Sequence, residues 1–224
     1  MNSIVIDIIS IFDNTQYGDV NLGYIIIGNV NRDGYPDLIQ VWPDGEVFKS
    51  ISSISDSQGL FNNAVVTDFV GDFRDNTQYV TGDVNRDGYT DLIEVWQDGE
   101  VFKSTGWINN GQGLFNNAVV TDFVGDFRNN TQYVTGEINR DGYADLIEVW
   151  QDGGVFKSTN WINNGQGLFN KSGVADFVGD FRDNTQYGTG DVNRDGYGDL
   201  IELWQDGEVF NFTFWINNGQ GSFI

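Results

Sequence analysis

Hydrophobic and polar positions run along this chain in short alternating stretches, and the stretches return on a fixed period. In Asp91-Leu92-Ile93-Glu94-Val95-Trp96, residues Leu92, Glu94 and Trp96 fall on one face of a strand and Ile93 and Val95 on the other. Apolar side chains on both faces suit a sheet sandwiched between neighbouring sheets. Just upstream, Gln78-Tyr79-Val80-Thr81-Gly82 predicts a first strand that enters an acidic loop. Gln97-Asp98-Gly99 carries the Asp-Gly hairpin signal, so a third strand starts over Glu100 to Ser104. Asn109-Asn110-Gly111-Gln112-Gly113 ends that strand, and Ala118 to Val124 predicts a fourth.

This four-strand unit repeats. Asp33-Gly34-Tyr35 returns as Asp87-Gly88-Tyr89, Asp141-Gly142-Tyr143 and Asp195-Gly196-Tyr197, 54 residues apart each time. Gln58-Gly59-Leu60-Phe61 returns at Gln112, Gln166 and Gln220. A period near fifty with several short strands is one blade of a β-propeller. The expected fold is therefore all-β, a single β-propeller domain over residues 1–224 with four four-stranded blades. The last repeat stops at Phe223-Ile224, before its fourth strand, while Val5 to Phe12 aligns with Val66 to Phe73. An N-terminal strand over 4–12 that completes the last blade would close the ring and leave no open edge at the seam. The same pairing between two chains would make a homodimer of eight blades, so monomer and dimer both stay open.

Composition narrows the chemistry. The 224 residues hold no cysteine and no histidine, which removes disulfides, thiolate sites, the usual general base and the commonest transition-metal ligand. The formal net charge of -22 disfavours nucleic acid and anionic membranes as partners. No apolar run is long enough for membrane insertion, and Ile4 to Phe12 lacks the basic flank and cleavage site of a signal peptide.

The spacing of the carboxylates gives the acidity a purpose. Asp83-Val84-Asn85-Arg86-Asp87-Gly88-Tyr89-Thr90-Asp91 places side-chain oxygens at loop positions 1, 3, 5 and 9, with glycine at the bend and the Tyr89 carbonyl at position 7. These are the features of the first nine positions of an EF-hand calcium loop. The other copies supply Asp191, Asn193, Asp195, Tyr197 and Asp199; Glu137, Asn139, Asp141, Tyr143 and Asp145; and Asn29, Asn31, Asp33, Tyr35 and Asp37. Up to four Ca2+ ions are expected, most strongly in the second and fourth loops and most weakly in the first, where Asn29 removes a charge. A decayed copy at Asp19 to Tyr24 has lost an aspartate and is expected to hold no ion. Glu94, Glu148 and Glu202 stand at loop position 12, already inside a strand, and read as exposed strand residues rather than ligands.

A second repeated constellation is Trp107, Asn109, Asn110 and Gln112, which returns as Trp161, Asn163, Asn164 and Gln166, and as Trp215, Asn217, Asn218 and Gln220. An indole beside amides can stack on a pyranose and match its hydroxyls. The same pattern also suits a structural turn with tryptophan packed between blades. The first unit has Ser53 in place of the tryptophan, whereas Trp42, Trp96, Trp150 and Trp204 occur in every unit and read as core.

The run G-D-V-N-R-D-G-Y-x-D-L-I-E-V-W, followed by N-N-G-Q-G-L-F, resembles the FG-GAP/VCBS repeat family, which includes the integrin α-subunit propeller and propeller lectins. The resemblance implies four-stranded blades, a calcium loop between the first two strands of each, an extracellular or cell-surface setting, and glycans or a protein surface as partners. The chain departs from the integrin-like members in having four repeats rather than about seven. The function expected is a multivalent carbohydrate-binding module. A protein-interaction scaffold, or an idealised repeat chain with no evolved ligand, is the alternative. Every candidate carboxylate repeats with the blades and no unique catalytic set stands apart, so no catalytic residue is assigned.

Overall fold

The computed structural model describes residues 23–45, 47–72, 77–123, 131–177 and 185–224, and among these it contains strands and no helix. The first sheet holds Tyr24–Gly28 (β1), Asp37–Asp44 (β2), Val47–Ser55 (β3) and Phe61–Asp72 (β4). The second holds Gln78–Gly82 (β5), Asp91–Asp98 (β6), Val101–Asn109 (β7) and Phe115–Phe123 (β8). The third holds Gln132–Gly136 (β9), Asp145–Asp152 (β10), Val155–Asn163 (β11) and Phe169–Phe177 (β12). The last comprises Gln186–Gly190 (β13), Asp199–Asp206 (β14) and Val209–Trp215 (β15). Each sheet is antiparallel and follows chain order, so each is one blade, and the chain is an all-β propeller of four blades. The strand expected over 4–12 and most of the altered loop at Asp19 to Tyr24 lie outside the described residues.

Local chemistry sets these boundaries. The Asp98↔Val101 pairing closes a two-residue hairpin in which Gly99 takes φ 65°, a left-handed value that a side chain would disfavour. Towards the far end of the β7–β8 ladder a bulge between Trp107 and Ile108 shifts the register, and β11–β12 repeats it at Asn160/Trp161. With the strands running up and down in order, the loop before the second strand and the turn after the third lie at the same end of each sheet. All acidic loops and all Asn-Asn-Gly-Gln-Gly turns therefore share one rim, and the Asp-Gly hairpins occupy the other.

The core sits between blades. Val30, Ile39, Val41 and Phe48 of blade 1 pack against Tyr79, Leu92, Trp107 and Phe115 of blade 2. Val84, Ile93, Val95 and Phe102 meet Tyr133, Leu146, Trp161 and Phe169 in the same way. The third junction joins Ile138, Ile147, Val149 and Phe156 to Leu200 and Phe223. At each junction a phenylalanine approaches a tyrosine of the next blade, with ring centroids 5.8, 5.3 and 5.5 Å apart in turn. Burying one such side chain contributes about 2 kcal/mol, so the junctions, more than the strand ladders, fix blade against blade. Trp96 and Trp150 are buried as expected, whereas Trp42 and Trp204, in the two end blades, are only half-buried.

Candidate functional site

The second loop shows the design. Gly82 ends β5, Arg86 adopts a left-handed φ of 61° and Gly88 follows at 87°, which curls the chain back on itself. The curl brings the N–H groups of residues 87, 88 and 89 towards the side-chain oxygens. Asp83 accepts from the Asp87 N–H at 3.1 Å and the Gly88 N–H at 2.8 Å. Asn85 Oδ1 accepts from the same Asp87 N–H at 3.0 Å, and Asp87 Oδ1 from the Tyr89 N–H at 2.9 Å. Asn85 Nδ2 donates to Asp87 Oδ2 at 2.9 Å. Positions 1, 3 and 5 thus hold their oxygens on the concave side of one turn.

The third and fourth loops repeat this network. The longer Glu137 reaches the same two donors, the N–H groups of Asp141 and Gly142, so the extra methylene is absorbed without loss of either bond. Asp191 accepts from Asp195 and Gly196, both at 3.0 Å. Loop 1 keeps the Asn31 and Asp33 bonds, but the Oδ1 of Asn29 is buried with no hydrogen-bond partner among the described residues.

The ninth-position aspartates play a different part. Asp91 is fully buried and accepts from the Val84 N–H at 3.0 Å and the Asn109 N–H at 2.8 Å. Asp37, Asp145 and Asp199 make the equivalent pair of bonds. These residues tie the loop to the turn of the same blade before any ion is considered. Burial pushes Asp91 and Asp145 up to about 7, and nearby loop carboxylates add to the rise, while the backbone N–H donors oppose it. Burial also raises Asp37, and the Tyr197 N–H lowers the exposed Asp195.

The donor set suits a hard divalent cation: carboxylate and amide oxygens with a main-chain carbonyl, and no sulfur or imidazole. The orphaned Asn29 oxygen and the carboxylates gathered around Asp91 are both features that a cation would satisfy. Among the described residues no three acidic side chains converge tightly enough to hold a metal by themselves. The asparagine and main-chain oxygens are part of any such set.

The turns are built to brace. Asn109 is buried, and its Oδ1 accepts from the N–H groups of Gly111 and Gly113 at 2.9 and 3.0 Å. Its Nδ2 donates to the Val30 carbonyl in the preceding loop at 2.7 Å and to Thr90 at 3.0 Å. Asn163 and Asn217 do the same towards Val84 and Ile138. Trp107 and Trp161 are buried in the junctions and donate from Nε1 to Glu94 at 3.3 Å and Glu148 at 3.2 Å. Trp215, half-buried, makes the same bond to Glu202 at 3.1 Å.

Of the two readings of the turns, Trp107 and Trp161 take the packed one, since the adjoining blade covers both indoles and leaves no open face for a sugar. One expectation changes. Glu94, Glu148 and Glu202 are buried rather than exposed, because the indole N–H lies within reach. What the turns do expose are Asn110, Asn164 and Asn218 with Gln112, Gln166 and Gln220. Tyr89, Tyr143 and Tyr197 lie against Gly111, Gly165 and Gly219, where an added Cβ would come 2.8, 2.7 and 3.0 Å from the ring. Loop and turn therefore form one composite surface in blades 2 to 4.

The arginines at loop position 4 carry structure that the pattern of carboxylates does not suggest. Arg32 Nη1 donates to the Asp87 carbonyl of the next loop at 3.1 Å, and Arg86 Nη1 to Asp141 at 3.0 Å. Arg140 lies 5.9 Å from the Tyr197 ring centre and against Gly196. The available signal was arginine at the same place in every repeat, at 32, 86, 140 and 194.

No known family profile and no curated protein matches the chain. Among solved structures it is similar to a chain of the Photorhabdus luminescens Tc holotoxin pore, at a TM-score of 0.57 and 16% identity, over 85% of this chain and 9% of that one. It is also similar to rhamnogalacturonan lyase YesW, at a TM-score of 0.46 and 16% identity, over 89% of this chain and 42% of that one. The chain thus spans less than half the length of either protein. The first likeness supports the propeller fold, and activity does not transfer at this identity.

Proposed function

We propose that the chain is a calcium-braced β-propeller that works as a multivalent binding module rather than a catalyst. The observation that carries this reading is the hydrogen-bond network shared by loops 2, 3 and 4, which holds oxygens at positions 1, 3 and 5 on one concave turn. Asp83, Asn85, Asp87 and the Tyr89 carbonyl would hold Ca2+ in loop 2, and the matching residues would do so in loops 3 and 4. Loop 1 would bind most weakly through Asn29, Asn31, Asp33 and Tyr35. When bound, the cation supplies positive charge that offsets the crowded carboxylates, and it stabilises the folded state by mass action. An extracellular module of this kind needs a dissociation constant of only about 10⁻⁴–10⁻³ M.

The binding surface in this reading is the composite rim. Asn110, Gln112 and Tyr89, with their counterparts in blades 3 and 4, present amide and phenol groups that match glycan hydroxyls. Three copies allow weak sites to combine. The burial of Trp107 and Trp161 favours a second reading, a protein surface as partner, since it takes away the usual stacking group. A glycan array run in calcium and in chelator tests the first reading. Calcium-dependent signal lost in an Asn110→Ala, Asn164→Ala, Asn218→Ala variant supports it, and silence on the array moves the assignment to a protein partner.

A further inference from the structure

The three inter-blade junctions repeat one arrangement, and the outer faces of blades 4 and 1 carry its two separated halves. Phe115, Phe169 and Phe223 are each at most 5% exposed because the preceding blade covers them, whereas the equivalent Phe61 of blade 1 is 54% exposed. On the opposite side, Phe48, Phe102 and Phe156 are buried by the following blade, and their counterpart Phe210 is 46% exposed. Val192 and Leu203 are likewise exposed where the other blades bury the matching residues.

The two faces also differ from the rest of the series in a complementary way. Blade 1 has Ser53 where blades 2 to 4 have tryptophan, so its face is short of bulk. Blade 4 has Phe212 and Phe214 where blade 2 has Ser104 and Gly106, so its face has bulk to spare. Phe212 and Phe214 pack on each other at 5.2 Å and remain exposed. Arg194 extends the logic. Arg32 and Arg86 each latch onto the next loop, while Arg194 is exposed and makes no such bond among the described residues.

We propose that a second copy of this chain fills the seam. The blade 4 face of each copy packs on the blade 1 face of the other, and the two copies close an eight-bladed ring about a two-fold axis. Each seam continues the series of blade junctions already built within the chain, with Phe210, Phe212 and Phe214 against Phe61 and Ser53. Arg194 then reaches the Asp33 loop of the partner copy. A second copy is favoured over direct docking of blade 4 on blade 1 because, among the described residues, the three internal junctions leave both end faces exposed together. Each chain carries a net charge of -22, so association strengthens with salt.

Sedimentation equilibrium of the wild-type chain at raised salt tests this directly. The expected mass is twice 25.1 kDa, and a mass of 25.1 kDa throughout, or an open series of larger species, overturns the proposal. Phe61→Asp and Phe212→Asp each remove one half of every seam, so each alone should raise the dissociation constant at least about tenfold with unchanged circular dichroism. A dimer that survives both substitutions also overturns it. If an aspartate variant does not fold, Phe212→Ser, which restores the residue of the other blades, replaces it in the same measurement.

Discussion

Blades 1 and 2 share a backbone, and their differences separate what the sheet requires from what the rim and the junctions require. Both bury a ninth-position aspartate that accepts two backbone N–H groups, Asp37 in one and Asp91 in the other. Both place arginine in the left-handed region at position 4 and glycine at position 6. They part at the first loop position, Asn29 against Asp83, and in the turn, where Ser53, Ser55 and Ser57 replace Trp107, Asn109 and Gly111. Blade 1 still forms its sheet, and its turn keeps the bonds of Asp56, which accepts from Gln58 and Leu60 at 2.8 and 3.0 Å as its counterpart Asn110 accepts from Gln112 at 2.9 Å. The ninth aspartate is therefore a folding residue. The tryptophan and asparagine serve the junction with the preceding blade, for which blade 1 has no counterpart among the described residues, and in the proposed reading the first-position carboxylate is the one that would serve the ion.

The largest effect is expected where the two blades agree. Asp91→Ala strands two buried N–H donors and should cost about 3 kcal/mol in urea unfolding, and Asp37→Ala should cost about as much. A small loss at either position would show that the brace is not common to both blades. The next largest effect lies where the blades differ. Asn109→Ala removes an acceptor for two N–H groups and a donor to the neighbouring loop, at a cost of about 2 kcal/mol. Ser55→Ala should stay within about 0.5 kcal/mol, since the Ser55 hydroxyl makes no bond among the described residues. Equal costs for the two would contradict the inter-blade role of Asn109.

A pH series in chelator sharpens the same contrast. Asp91 and Asp145 hold their protons more tightly folded than unfolded, with folded values of about 7 against an ordinary 3.8. The stability they contribute is full below the ordinary value and is lost as pH rises through about 7. The melting temperature without calcium should therefore fall as pH rises from 3.8 to about 7 and level off above that, and calcium should reduce the fall. A flat profile in chelator would argue against the burial of these carboxylates. A smaller effect than either aspartate or Asn109 is expected at the first position. Asn29→Asp should strengthen the calcium-dependent part of the melting temperature and Asp83→Asn should weaken it, each by about 0.5–1 kcal/mol at saturating calcium.

Much of this was legible in the linear pattern. The alternation around Leu92 to Trp96 located the sheet interior, Asp98-Gly99 located the hairpin, and the 54-residue period located the blades. Contacts between blades were not legible, because they join residues such as Asn109 and Val30, 79 positions apart, that no local spacing relates. That is why Glu94 read as exposed and why Trp107 stayed open between a sugar platform and a packed core residue. Each belongs to a bond that exists only after β6 and β7 pair, in a junction that exists only after two blades pack. The arginine latch escaped for the same reason. A charged side chain in a polar loop reads as solvated until the next loop is placed beside it.

Calcium bracing of the rim is tested most directly by calorimetric titration of calcium into chelator-stripped protein, followed by melting at each occupancy. Saturable binding is expected, with loops 2, 3 and 4 filling before loop 1, and a melting temperature that rises with occupancy. The absence of saturable binding, with identical melting in calcium and in chelator, would contradict it.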